Sequence, residues 1–256
     1  MIPYNFIFDV DGTLTLSRQV MDPCFKTFFK GFIQYNNVWL ITGSDYPKTV
    51  EQIGEDICKE VRGVYNCSGN HIWRDGSEAY KNNWTLPNEM REWLENQLKK
   101  SKFGARTGNH LEQRTGLLNF SIVGRNCTLG ERQMYVQWDL RQNERTAIAE
   151  KFNEKFKKKK VVAQVAGETG IDIMEKNTDK ASILRDVSVP IIFFGDKTKP
   201  GGNDWPLANA LKGRNDCHTI AVKDWKDTNF HLKNIIKDVQ KHLNMLESNN
   251  KRKKNE

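Results

Sequence analysis

The sequence predicts an α/β fold: a parallel-sheet core interrupted by an inserted α+β module. Three observations point there. Short apolar runs alternate with helical stretches at both ends of the 256-residue chain, the pattern of βαβ units. Polar loops rich in Asp and Gly directly follow two of those runs, where a parallel sheet presents its sites. Between them the pattern changes to hairpin-linked strands with helices on one face, a different architecture set into the first.

Taken in order, residues 4–8 form a short apolar strand that ends in the polar loop DVDGTLT, and a helix follows over 21–31. A second strand at 37–41 leads into Thr42-Gly43-Ser44-Asp45, with Asp45 as N-cap of a helix running to about residue 59. Residues 71–80 read as a hairpin turning at Asp75-Gly76. Met90, Trp93, Leu94 and Leu98 stand at helical spacing within 88–100. A strand at 117–123, two helical stretches across 130–157 and strands at 161–166 and 170–174 complete the inserted pattern. The first style returns with a helix near 180–186, a strand at 189–194, the loop 195–204, a strand at 218–222 and a helix over 225–246. The chain thus divides into a core of residues 1–82 and 180–246, an insert of residues 83–179, and a polar flexible tail of residues 247–256.

Composition narrows the function classes. The charge is +8, from 40 Lys+Arg against 32 Asp+Glu, and mean hydropathy is −0.70. Seven Trp and thirteen Phe nevertheless require an interior, so the chain is not a disordered one. No apolar run approaches the ~20 residues of a membrane span, and the N-terminal segment lacks the basic region of a secretory signal. Five scattered cysteines with no CxxC fit reduced thiols and a cytoplasmic location. The positive surplus calls for an anionic partner, either a nucleic acid or a phosphorylated small molecule. The lysine-rich stretches 155–160 and 251–254 carry none of the regularly interleaved aromatics of a single-strand binder, which argues against nucleic acid.

The strongest local signal is Asp9-Val10-Asp11-Gly12-Thr13 at a strand end. Two carboxylates two residues apart can face one cavity, and like charges that close call for a hard cation or a division of acid and base roles. Gly12 lets the backbone approach a ligand closely. A pair of loop aspartates can also do no more than cap backbone N–H groups, but that use does not require four fixed identities. The second acidic loop, GDKTKPGGND, places Asp196 where a third metal oxygen would be needed. Three carboxylates, with the remaining positions left to water and phosphate, are a Mg²⁺ constellation.

These segments resemble the haloacid dehalogenase-like phosphotransferases and, within them, the eukaryotic-type phosphomannomutases. The resemblance rests on FDVDGTLT followed by RQ, on GSD after the second strand, on RTGLLNFSIVGR in the insert, and on FFGDKTKPGGND. It covers roughly residues 4–240. It implies a Rossmann-like core with a mobile cap. It further implies that Asp9 is the nucleophile, that Asp11 is the general acid/base and faces Mg²⁺ through its main-chain carbonyl, and that Asp196 is the other carboxylate ligand, supported by Asn203 and Asp204. Lys180 would neutralise charge on the nucleophile and phosphate, and Thr42 or Ser44 would hydrogen-bond the transferring phosphoryl. Arg114, Arg125 and Arg132 match cap arginines that hold the non-reacting phosphate, a task suited to bidentate guanidinium geometry. Arg18 and Asp172 match further active-site positions, Asp172 as a sugar-hydroxyl acceptor.

Two departures stand out. Gly170 occupies a position where the family carries Ser, and Ala210 stands where a second cation site has an acidic residue. Both lie around the sugar or a secondary ion, away from the phosphoryl centre. The expected activity is Mg²⁺-dependent interconversion of mannose 6-phosphate and mannose 1-phosphate, with a hexose 1,6-bisphosphate as activator. The alternative is a sugar-phosphate phosphatase on the same scaffold. The expected partner is a hexose phosphate, with no nucleic acid and no membrane. The family often forms a homodimer through its cap, although no apolar stripe in the sequence demands one.

Overall fold

The computed structural model describes residues 4–253, with side chains of the last helix described through Val239 and at Lys241. The chain begins β1 (Asn5–Phe8), α1 (Pro23–Tyr35), β2 (Asn37–Ile41), α2 (Tyr46–Ile53), α3 (Glu55–Glu60) and β3 (Gly63–Asn66), then forms a hairpin of β4 (His71–Arg74) and β5 (Ser77–Lys81). Next come α4 (Asn88–Lys100), β6 (Leu111–Arg114), β7 (Leu117–Ser121), α5 (Leu129–Gln142), α6 (Glu144–Lys155), β8 (Val161–Ala166) and β9 (Gly170–Glu175). A 3-10 helix over Lys180–Arg185 precedes β10 (Ile191–Gly195), α7 (Trp205–Leu211), β11 (Cys217–Ala221) and α8 (Trp225–Lys253).

The strands form two sheets. The larger has the order β11-β10-β1-β2-β3-β4-β5; its first five strands are parallel, and the β4–β5 hairpin continues it antiparallel. The smaller is antiparallel, in the order β6-β7-β9-β8. This is the expected α/β architecture with an α+β insertion. Among the described residues no helix is long and apolar enough to cross a membrane.

Several elements differ from the sequence expectation, each for a local reason. The single helix expected after Asp45 is two, broken at Gly54, which adopts φ +95° and serves as C-cap of α2. β3, β6 and α7 are too short to stand out from periodicity alone. The helix expected near 180–186 is 3-10. The last helix continues to Lys253, so residues 247–253 are helical where a tail was expected; residues 254–256 lie outside the described residues.

β1 is buried on both faces, as the centre of a parallel sheet requires. Phe6 and Phe8 face α1, whose Phe25, Phe29, Phe32 and Ile33 form an apolar stripe at helical spacing. Asp22 caps that helix by accepting the Phe25 N–H at 3.0 Å. Phe8 stacks on Phe194 at 4.8 Å and meets Phe29 edge-on at 5.2 Å. Ile7 points the other way, into a second cluster with Tyr65, Ile183, Phe193 and Leu207. The smaller sheet has its own core, in which Leu118, Phe120, Ile171 and Ile173 pack against Met90, Leu94, Tyr135 and Phe152 of α4–α6. Its opposite face carries a transverse row, Glu112 opposite Asn119 opposite Asp172, and that face turns toward the large sheet across a cavity.

Phe8 joins the central strand to the α1 stripe and sits directly before Asp9. Replacing it by Ala should cost about 3–5 kcal/mol, read as a lowered urea midpoint, while a volume-conserving Phe8→Met should cost less than about 1.5 kcal/mol.

Candidate active site

The parallel strands deliver their polar residues to one edge. Phe8 pairs with Leu40 on one side and Phe194 on the other, so Asp9, Thr42 and Asp196 all lie just past the C-terminal ends of adjacent strands. The chain leaves β1 toward β2 and returns on the other side as β10, which opens a crevice at β1. The DVDGTLT loop is anchored from below: Val10 and Leu14 are buried in the core, and the Val10 carbonyl accepts the N–H groups of Leu14 and Thr15 at 2.9 and 3.1 Å. Thr228 on α8 donates its hydroxyl to the Thr13 carbonyl at 2.7 Å. Gly12 has φ +80°, and a Cβ there would lie 2.5 Å from Asp196 Oδ2, so both backbone shape and space exclude a side chain.

At the centre of the crevice, Lys180 is fully buried, with its Nζ 2.5 Å from Asp9 Oδ1 and 2.7 Å from Asp204 Oδ1. Burial acts to strip Lys180 of its proton, but Asp204 and Asp9 outweigh it and hold the ammonium charged. The same burial, reinforced by the Asp204 charge, pushes the Asp9 carboxyl well above the ordinary range despite Lys180. Asp196 also rises through burial, against the pull of Lys197, whose Nζ lies 2.8 Å from Asp196 Oδ2.

Carboxylate oxygens of Asp9, Asp196 and Asp204 lie within 4.8 Å of one another. Three carboxylates facing two ammonium groups leave a negative charge uncompensated. Asp196 Oδ1 and Asn203 Oδ1 are buried without a hydrogen-bond partner among the described residues, a cost that a cation would remove. The donor set is all oxygen, as a hard divalent cation prefers. Asp204 is less available than its neighbours, since its oxygens already accept from Lys180 and, at 2.9 Å, from the Lys197 N–H. It braces the site.

The Asp11 carboxylate does not join this cluster, which corrects the expected set of side-chain carboxylates. It accepts from the Arg18 N–H at 2.9 Å, the Gln52 amide at 2.9 Å and the Ser44 hydroxyl at 3.2 Å. Ser44 is therefore committed to Asp11. Thr42 Oγ1 accepts the Ser44 N–H at 3.1 Å, so its own hydroxyl proton is not used by any described residue.

A cavity of about 560 Å³ lies between the two sheets. Asp9, Asp11, Arg18, Thr42, Ser44, Asp196 and Asn203 line it from the core, and Arg114, Arg125, Arg132, Gly170 and Asp172 from the smaller sheet and its connections. Lys180 and Asp204 lie beneath, fully buried. Glu112 pairs with both Arg114 and, at 3.1 Å, Arg125. Burial and Arg114 together lower the Arg125 pKa, and burial with Arg132 lowers that of Arg18. Arg125 is partly buried and Arg18 exposed, and guanidinium groups that repel one another around one cavity are suited to receiving an anion. Asp172 accepts from the Asn119 amide at 2.6 Å. A Cβ at Gly170 would come within 2.5 Å of that amide nitrogen, which explains the glycine at this position.

Sequence reasoning missed Gln52, Asn119, Glu112 and Lys197. Gln52 gave a usable signal, a polar residue sharing the buried face of α2 with Thr49 and Ile53. Asn119 and Glu112 become visible only once the cross-strand register is known. Removing the central ammonium by Lys180→Met should cost about 3–5 kcal/mol in the metal-free protein, measured by urea unfolding. A loss below about 1 kcal/mol would show that the carboxylates do not need it.

Residues 25–238 match the family model described as eukaryotic phosphomannomutase. The chain is 32% identical over 219 residues to "Phosphomannomutase 1" of Dictyostelium discoideum, covering 79% of this chain and 86% of the relative. It is 29% identical over 247 residues to a "Probable phosphomannomutase" of Caenorhabditis elegans, covering 91% and 95%. Solved structures share the fold at low identity: an IMP-nucleotidase of Plasmodium falciparum (TM-score 0.59, 14% identity, 91% of this chain and 68% of that one) and the C-terminal domain of C. albicans trehalose-6-phosphate phosphatase (TM-score 0.55, 18%, 83% and 77%). The chain belongs to the eukaryotic phosphomannomutase family.

Proposed function

We propose that this protein interconverts mannose 6-phosphate and mannose 1-phosphate, using Asp9 as a transient phosphoryl acceptor, with Mg²⁺ as cofactor and a hexose 1,6-bisphosphate as activator and intermediate. The observation that carries this reading is the pairing in one cavity of a phosphoryl-transfer centre with a separate arginine cluster. A substrate that passes through a bisphosphate needs both.

Asp9 Oδ1 is held by Lys180, which leaves Oδ2 to attack phosphorus. The Asp9–phosphorus bond forms as the phosphorus–sugar oxygen bond breaks. Asp11, held by Ser44, Gln52 and the Arg18 N–H, delivers its proton to the departing sugar oxygen and takes one back from the sugar in the return step. Thr42 offers its free hydroxyl proton to the transferring phosphoryl, and Lys180 offsets the charge that builds on Asp9. Asp9, Asp196 and the Asp11 main-chain carbonyl would hold Mg²⁺, with Asn203 and Asp204 in support; when bound, it supplies positive charge that brings a carboxylate and a phosphate together. Arg18, Arg114, Arg125 and Arg132 would hold the phosphate that is not reacting, and Asp172 would accept a sugar hydroxyl. The smaller sheet, as a cap, would keep water from the aspartyl phosphate.

Phosphorus NMR of mannose 1-phosphate with enzyme, Mg²⁺ and a trace of glucose 1,6-bisphosphate tests the reading. Mannose 6-phosphate should accumulate without inorganic phosphate. Release of inorganic phosphate as the main product would instead make this a phosphatase on a mutase scaffold, the reading that Gly170 in place of the family's Ser favours. The hydroxyl assignment predicts that Thr42→Val lowers kcat about 10²–10³-fold. Ser44→Ala, acting through Asp11, should cost less and should shift the pH profile of kcat. Equal losses with unchanged profiles would show that Thr42 has no special role.

A further inference from the structure

The arginines of the cavity are answered by carboxylates of different character. Glu112, half-buried, is shared by Arg114 and Arg125 and belongs to the transverse row of the smaller sheet. Arg132 is answered by Glu168, on the turn between β8 and β9. Its Nε donates to Glu168 Oε2 at 2.6 Å, and its Nη1 donates to Thr169 Oγ1 at 3.4 Å. The Arg132 side chain is 16% exposed and that of Glu168 is 61% exposed. Both residues line the cavity. A carboxylate thus stands on a guanidinium edge of the arginine cluster, and it is more exposed than Glu112, whose side chain is 28% exposed.

This placement is built into the fold. Arg145 is locked to Asp139 by a largely buried ion pair, Nε to Oδ2 at 2.7 Å. Its Nη1 donates to the carbonyls of Gly167 at 3.0 Å and Gly170 at 3.4 Å, at the two ends of the turn. Gly167, at φ +55°, provides the left-handed residue that closes it. The turn is therefore clamped from the far side while Glu168 and Thr169 engage Arg132.

We infer that Glu168 is an internal stand-in for the distal phosphate: it takes over Arg132 when that phosphate lets go, and so sets how tightly phosphorylated sugars are held. The inference rests on the mutase reading and deepens it. A bisphosphate must release its distal phosphate before it can turn around in the cavity. Without Glu168, release would leave Arg132 beside Arg18 without its ion-pair partner, and Arg18 already feels Arg132 as a repelling neighbour, with Asp11 and then Glu168 as attracting ones. An exposed carboxylate is easily displaced, so it weakens ground-state binding modestly without closing the site. A contact that holds the bisphosphate but must break before it turns around slows that turn, so weakening it favours turnover.

Glu168→Gln keeps the shape and an acceptor oxygen but removes the charge. It should tighten the dissociation constant for glucose 1,6-bisphosphate, measured by calorimetry, about threefold to fivefold. KM and kcat for mannose 1-phosphate should fall together. A purely structural role would raise KM or lower the melting temperature instead, and Glu168→Asp should restore wild-type behaviour in large part. Glu150→Gln, the same charge change at an exposed site on α6, should leave the dissociation constant unchanged. Equal or weaker bisphosphate binding by Glu168→Gln would overturn the inference, as would equal tightening by Glu150→Gln. Failure of the mutase reading would show separately, as release of inorganic phosphate by the wild-type enzyme. In that case calorimetry with inorganic phosphate still tests whether Glu168 competes for Arg132: unchanged or weaker binding by Glu168→Gln overturns the competition, and tighter binding supports it.

Discussion

Lys180 reaches the centre of the crevice from the start of a 3-10 helix, and its ammonium ties together carboxylates 171 and 24 positions away in the chain. The contact joins three segments: the loop after β1, the return from the insert, and the loop after β10. An ammonium buried this deeply is tolerable only because two carboxylates face it, and they are tolerable only because it is there. The cluster still carries surplus negative charge, and two buried side-chain oxygens have no partner among the described residues. That surplus favours the entry of a cation, and with it of an anionic group, at the centre. Gly12 follows from the same constraint, since any side chain there would push Asp196 out of the cluster.

The other half of the cavity has the opposite electrostatics. Four arginines converge on a space that buried carboxylates also border, and Glu112 and Glu168 moderate the repulsion between them. A negative pole on the core, and a positive one formed by Arg18 of the core with Arg114, Arg125 and Arg132 of the insert, suit a ligand carrying phosphate at each end. The register of β6, β7 and β9 places Asn119 and Asp172 between the poles, where a sugar ring would lie.

Much of this was legible in the sequence because the chemistry is concentrated in short motifs at strand ends. Asp9, Asp11 and Asp196 were found from apolar runs ending in acidic, glycine-containing loops, and the structure brings all three to one cavity. The partition of their roles was not legible. That Asp204, and not the Asp11 carboxylate, completes the buried cluster depends on how the GGND loop folds back under β10. Lys180, by contrast, is marked in the sequence only by the family resemblance, because burial and a contact 171 positions distant leave no local trace. The break at Gly54 and the short strands β3 and β6 escaped for a related reason: four-residue elements carry too little periodicity, and tertiary pairing fixes them.

The central claim, that the Lys180-held Asp9 carboxylate carries the phosphoryl group between sugar and sugar, is tested most directly by trapping the phosphoenzyme. Brief reaction with a hexose 1,6-bisphosphate, reduction of the acyl phosphate with borohydride and peptide mass spectrometry would locate it. A reduced side chain is expected at position 9 alone, absent from Asp9→Asn and from unreacted enzyme. A modified residue elsewhere, or full turnover with position 9 never modified, would contradict it.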